Sequence, residues 1–340
     1  MVISAIQESD ELKELYKTLI SEGEGSETSP SALSDLIASI TSSGYQLVIS
    51  SPTPQPVKDQ SLASISGVLP GSGGDDLPPT IAIVAHYDSA GAAPSLSFGA
   101  DSNGSGVSIL LELARLFSSL YSSSRTHPSS TLIFLLSGGG KINYSGTKRW
   151  LEEHLDMDTT SDLLSNVDFV LCLDTLGRDD PLKLHVSKPP KEGSAGDRFL
   201  KHLNVVTNSL YGSPSVEVIH KKINLADDNL AWEHERFSIR RLPAFTLSAL
   251  SSPQDPRRKT VLDTLTTVQP AVMKKTTRVI AEALACSLYP KFTSSGCNGQ
   301  LFAGSNAPSE KTLTGWIDLV TSGPRHSSLH TGTKSGEVGV

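Results

Sequence analysis

The amino-acid sequence predicts an α/β fold of three layers, α/β/α, with helices covering both faces of a mostly parallel, mixed central sheet. Three observations carry that prediction. Short continuous apolar runs recur at Ile81 to Ala85, Leu132 to Leu136, Val167 to Leu173 and Pro243 to Leu247, the pattern of strands buried on both faces. Stretches with helical spacing separate them, clearest at Val107, Leu110, Leu111, Ala114 and Phe117, and strands alternating with helices build parallel sheets. The runs also end in residues suited to chemistry, His86, Asp174 and the turn Ser137 to Gly140, as expected where ligands meet the carboxyl ends of such strands.

Taken in order, residues 10–20 show helical spacing through Leu12, Leu15, Tyr16 and Ile20, and residues 30–42 through Leu33, Leu36, Ile37 and Ile40. Ser29 followed by Pro30 suits the start of the second helix. Strands are expected at Tyr45 to Ile49 and Leu62 to Val68, before a turn-rich stretch from Gly71 to Pro79. After the strand at Ile81, an amphipathic helix runs from Gly104 to Tyr121, with Glu112 on its solvent side. Helical spacing resumes at Gly146 with Trp150 and Leu151. Further strands are expected at Pro181 to Val186 and Ser215 to Ile219, a helix at Gly196 to Leu210, and a closing helix from Thr264 to Leu288. One domain is therefore expected over 1–290, its residues 1–70 a partial N-terminal portion. A low-complexity tail follows over 291–340, rich in Ser, Gly, Thr and Pro, with one short helix at 313–320.

Composition excludes several classes of function. With 340 residues and 37% hydrophobic content the chain is long enough for a large core. Its formal net charge of -7, with no basic cluster denser than Arg257, Arg258 and Lys259, argues against nucleic-acid binding. Three cysteines without CxxC spacing indicate neither a zinc knuckle nor a disulfide framework. Cys172, inside an apolar run, is a core thiol, whereas Cys286 and Cys297 pair if the compartment is oxidising. Gln7, Glu8, Asp10 and Glu11 make the first residues too charged for a signal-peptide core. The apolar runs fall far short of the roughly 20 residues a membrane-spanning helix needs, so membrane attachment is expected only through segments outside this sequence.

Four candidate metal ligands stand at strand or loop ends: His86, Asp101, Asp174 and His234. Imidazole and carboxylate are ligands that Zn²⁺ takes at about 2.0 to 2.2 Å, and an aspartate can bridge two metals. Asp88, two residues past His86, is expected to orient that ring from behind the metal. Singly, each of these residues is as well explained on the surface or as a cap. Together they make a metal-site layout.

The motifs His86 to Asp88, GADSNGSG at Gly99 to Gly106, LDTLG at Leu173 to Gly177 and EHERF at Glu233 to Phe237 resemble those of the M28-type zinc aminopeptidases. The resemblance implies one metal on His86, Asp101 and Asp174 and a second on Asp101 and His234. It fails at the third strand end. Where that family carries SGEE, this chain has Ser137, Gly138, Gly139 and Gly140. The first family glutamate takes a proton from metal-bound water and the second holds a metal, and neither Gly139 nor Gly140 has a side chain for the task. Loss of a general base alone costs on the order of 10² to 10⁴ in rate. The resemblance therefore implies a pseudo-peptidase with no catalytic residue and no cofactor beyond one weakly bound zinc. Lys141 either fills the vacated charge position with a cation or is a solvated loop lysine. Glu233 and Glu235, flanking His234, are the acids to test for a rescue of catalysis.

The stretches from His86 to Phe117 and from Ser137 to Asp156 further resemble the nicalin-like, nicastrin-related branch of that family, over roughly residues 35–290. That resemblance implies the lumenal side of the endoplasmic-reticulum membrane and a scaffold subunit in a complex with a Nomo-type protein and a multi-spanning membrane protein. The complex is associated with the translocon and multi-pass membrane protein biogenesis, and with Nodal signalling. The alternatives are an active M28-type aminopeptidase and, third, a carbohydrate- or peptide-binding module using the old cleft. Of two glycosylation sequons, Asn103 falls in the site motif and is expected to be buried, which leaves Asn143 as the acceptor.

Overall fold

The computed structural model describes residues 62–326, apart from 73–76, 157–161, 213–214, 228 and 290–299. The helices expected over 10–20 and 30–42, the strand at Tyr45 to Ile49, and Cys297 lie outside the described residues. In chain order the main elements are β1 (Ile65–Leu69), β2 (Thr80–His86), α1 (Gly106–Tyr121), β3 (Thr131–Ser137), α2 (Ser145–Leu155), β4 (Val167–Asp174) and β5 (Lys183–Val186). There follow α3 (Ala195–Tyr211), β6 (Glu217–His220), α4 (His234–Ile239), β7 (Ala244–Ser248), α5 (Pro270–Leu288) and α6 (Glu310–Val320).

The strands form one sheet in the order β1-β3-β2-β4-β7-β5-β6. Its centre, β3, β2, β4 and β7, is parallel. β1 joins β3 and β5 joins β7 antiparallel, so the sheet is mixed. Alternation along β2 sends Ile81, Ile83 and Ala85 to one face, where they pack with Leu110, Phe117 and Ile280. Ala82 and Val84 go to the other, with Trp150, Leu151 and Phe237. Both faces are covered, each buried Leu or Phe contributing about 1.5 to 3 kcal/mol, and the expected three layers result. The parallel register sets His86 beside Ser137 and Asp174 beside Ser248, which collects the chemistry-bearing strand ends at one edge.

The closing helix begins at Pro270, later than expected from Thr264, with only a 3-10 turn at Leu265–Thr267 before it. A residue preceding proline is driven to extended backbone, as Gln269 is (φ -114, ψ 108), and Pro270 then takes the first helical position. Cys286 is disulfide-bonded, and Cys172 is buried and free.

The residues after 300 correct the expectation of a low-complexity tail over 291–340. The short helix expected at 313–320 is the full α6, capped by Ser309 accepting from the Thr312 amide at 3.2 Å. Phe302, Leu313 and Ile317 are core residues. Beyond α6, Arg325 donates to the carbonyls of Tyr87 (2.6 Å) and Phe98 (2.9 Å), so this segment braces the loop after β2. Glu112 is corrected with it. Expected on the solvent side, it is fully buried and grips Arg115 through two nitrogens at 2.7 and 2.8 Å. It also accepts from the Ser309 amide at 2.9 Å. The helix period showed an outward face, and α6 covers it. We predict that Glu112→Ala lowers stability by about 1 to 3 kcal/mol, because it orphans these donors. Cleavage within 300–326 should accelerate in limited proteolysis, and unchanged cleavage would show that α6 is held by its apolar face alone.

Candidate functional site

The site is built around the glycine turn after β3. Gly139 adopts φ 64, and a Cβ there would lie 2.5 Å from Ser145 Oγ. At Gly140 a Cβ would lie 2.2 Å from His86 Cγ and 2.3 Å from its Cβ. The turn is pressed flat onto the imidazole, in space where no side chain fits. Asp88 secures it: Oδ1 accepts from the Gly140 amide at 2.6 Å and Oδ2 from the Lys141 amide at 2.9 Å. This corrects the role expected of Asp88. Its carboxylate holds the turn, because two free amides converge on it there, and it makes no bond to the ring of His86.

Glu233 meets that ring instead. His86 Nδ1 lies 3.2 Å from Glu233 Oε2, and Glu233 Oε1 accepts from the hydroxyls of Ser137 (2.5 Å) and Thr147 (2.6 Å). With Nδ1 donating to a carboxylate, the lone pair of a neutral ring sits on Nε2, which is buried without a partner among the described residues. Asn103 locks the two strand ends together, its amide donating to Leu173 O at 2.8 Å and His86 O at 3.2 Å. That side chain is fully buried and consumed, as expected for the first sequon.

Asp174 faces a cation of the protein's own. Its Oδ2 accepts from Arg258 Nη2 at 2.7 Å and its Oδ1 from Thr175 Oγ1 at 2.6 Å. Burial would raise this carboxyl, but the Arg258 guanidinium beside it holds it well below the usual carboxylate range. Arg258 also donates to Tyr144 Oη at 2.8 Å and to the carbonyls of Ala231 and Pro253, and its guanidinium lies 4.5 Å from the ring centre of Trp232. Lys141 takes the inward of its two expected placements. Its ammonium donates to Ser102 Oγ at 2.7 Å, and burial, followed by the nearby Arg258, pushes it down to about 8.

The other two expected ligands are turned elsewhere. Asp101 opens the turn Ala100–Ser105, whose amides at Asp101 and Ser102 are each bound at 2.8 Å by Asp263. Its Oδ1 accepts from the Gly177 amide at 2.8 Å and its Oδ2 from Arg178 Nε at 3.0 Å. Burial raises it to about 6 against the lowering effect of the Gly177 amide. His234, at the start of α4, uses both nitrogens, Nδ1 with Thr246 Oγ1 and Nε2 with Ser187 Oγ, each at 2.9 Å. Burial, then the neighbouring His185, pushes it down to about 3, so the imidazole is neutral. Glu235 is occupied with the Ala231 amide at 3.1 Å.

This donor set does not fit zinc. A catalytic zinc needs three protein ligands, and among the described residues no three His, Cys, Asp or Glu side chains are grouped to hold a metal. Of the four expected ligands only His86 keeps a free atom, Nε2, while Asp174 and Asp101 face guanidinium groups. The sequence did not single out Arg258 or Asp263, since Arg258 showed only as the middle of a basic triplet and Asp263 as one acid among many.

Comparison with known proteins places these features in context. Residues 65–284 match the model of peptidase family M28. The chain is 50% identical to the zebrafish (Danio rerio) protein named BOS complex subunit ncln, over 95% of this chain and 59% of that one. It is 48% identical to the human BOS complex subunit NCLN, over 95% and 57%, and 36% identical to Nicalin of Caenorhabditis elegans, over 76% and 47%. It thus spans about half the length of the curated relatives it matches. Among solved structures, an aminopeptidase from Aneurinibacillus sp. superposes with a TM-score of 0.51 at 19% identity, over 66% of this chain and 47% of that one. The γ-secretase component nicastrin also gives 0.51, at 12% identity over 76% and 46%. At these identities the structures share the fold alone.

Proposed function

The chain belongs to peptidase family M28, and we propose that within it the chain is a non-catalytic subunit of a membrane-protein complex, of the kind its relatives named BOS complex subunit belong to. One observation supports the non-catalytic half of this reading: Gly140 lies so close to His86 that a carboxyl-bearing side chain has no room, at the turn where the family resemblance would put two glutamates. Fold and chemistry are separable, and a strand-end site whose carboxylates are already paired to Arg258 and Arg178 serves as a rigid surface. The active-aminopeptidase alternative lacks support from either rescue candidate, since Glu233 already accepts from two hydroxyls beside His86 and Glu235 caps a backbone amide.

The finer reading follows the family resemblance. The protein acts on the lumenal side of the endoplasmic-reticulum membrane, with a Nomo-type protein and a multi-spanning membrane protein, in translocon-associated biogenesis of multi-pass proteins and with a link to Nodal signalling. The disulfide at Cys286 suits an oxidising lumen. Asn143, half-buried on the loop after the glycine turn, is the proposed glycan acceptor.

Two measurements test the proposal. Protein equilibrated with zinc and desalted should retain well under one equivalent and release no amino acid from aminoacyl reporters. Two retained equivalents, with turnover abolished by His86→Ala, would establish the enzyme instead. Tagged protein captured from detergent-solubilised endoplasmic-reticulum membranes should carry both partners and should shift in mobility on deglycosylation unless Asn143 is changed to Gln. Capture of neither partner would overturn the scaffold role.

A further inference from the structure

Beside the closed site lies a cleft of about 450 Å³ whose lining includes four cations, Lys141, Lys221, Arg258 and Lys259, and two carboxylates, Asp227 and Asp255. Asp255 is held by Arg257 at 2.9 Å and Arg258 by Asp174 at 2.7 Å, which leaves Lys141, Lys221 and Lys259 facing Asp227, so the cations dominate, in a chain whose net charge is -7. Arg258 is more than nine-tenths buried, with both terminal nitrogens partnered and its Nε without a partner among the described residues. Lys221 and Lys259 are exposed at the rim.

We propose that this cleft binds the carboxylates of an acidic peptide segment from another protein. A concave, low-dielectric pocket lined by one sign of charge concentrates the opposite sign, and the volume lies within the range of small-ligand sites. The same cations oppose an ammonium, so the cleft is set against the free amino end that an aminopeptidase substrate presents. Asn229 and Gln254 in the lining offer side-chain amides to a peptide backbone. The inference goes beyond the scaffold role and stands without it, because it depends only on the cleft; Asn143 also lines that cleft, so the probe is applied to protein carrying no glycan there.

The probe is a fluorescein-labelled peptide of alternating Glu and Ala, acetylated and amidated at its ends, followed by fluorescence polarisation with the purified chain. Saturable binding is expected, weakened about tenfold by Lys221→Glu combined with Lys259→Glu and weakened further by added salt. A Lys-and-Ala peptide should not bind. Should the charge-reversed protein lose its circular-dichroism signature, Lys221→Gln with Lys259→Gln must show the same direction of change. Equal binding of both peptides, binding untouched by the rim variants, or no binding would overturn the proposal. So would saturable binding of inorganic phosphate without the acidic peptide, or binding only of an Ala peptide with a free C-terminal carboxylate.

Discussion

Gly140→Ala is expected to destabilise the protein by about 3 kcal/mol, at the top of the range for overpacking a filled core. The added Cβ would lie 2.2, 2.3 and 2.5 Å from His86 Cγ, Cβ and Cδ2, separations that van der Waals repulsion forbids. His86 has nowhere to go: it is fully buried, its backbone lies in central strand β2, and Nδ1 is tied to Glu233. The turn cannot lift either without breaking the two amide bonds to Asp88. Gly139→Ala should cost less, about 1 to 2 kcal/mol for its left-handed backbone. Gly67→Ala, with nothing within 4 Å, is the neutral control. Urea denaturation of the three variants decides the matter, and a Gly140→Ala protein as stable as the parent would mean that the turn yields easily. If it does not, writing glutamates back at 139 and 140 costs the fold before it restores a metal ligand.

The second large effect is expected for Arg258→Leu, a loss of about 3 to 5 kcal/mol. Removing the guanidinium strands the Asp174 carboxylate in the interior and leaves Tyr144 Oη and the Pro253 carbonyl without their donor, while Ala231 O keeps the Tyr144 hydroxyl. Adding Asp174→Asn should recover part of the loss, because the pair and not either member is what the interior tolerates; no recovery would locate the cost in the Trp232 stack. The pair also predicts an acid limb. Asp174 in the folded chain titrates well below an unfolded aspartate, so as pH falls through about 4 the unfolded chain takes up the extra proton. The pair's contribution is complete above that range and is lost progressively as pH falls further, through the much lower titration of the folded carboxyl. Arg258→Leu should flatten this part of the stability profile, measured by denaturant midpoint against pH.

Much of the site was legible before any coordinates. The runs ending at His86 and Asp174 are strands with those residues at their ends, because a short apolar run bounded by polar residues has few other folds. The bare turn at Gly139 and Gly140 was equally plain, since two glycines without side chains are a matter of composition. What spacing misjudged was partnership. Asp88 was assigned to the ring two residues before it, yet the amides of Gly140 and Lys141, some 50 residues on, claim its carboxylate. Glu112 sat on the polar side of a helix whose covering element lay in a stretch that composition marked as tail.

Local period and motif content therefore determined the layered α/β architecture, the edge of the sheet where chemistry would collect, and the bare glycine turn, all properties of neighbouring residues. Only the tertiary structure decided which charges meet. Asp174 and Arg258 are 84 residues apart in sequence, and one arginine of a basic triplet turns inward while the next cation stays in water. Nothing local distinguishes them, because the energy of burying a charge depends on what the rest of the chain brings against it.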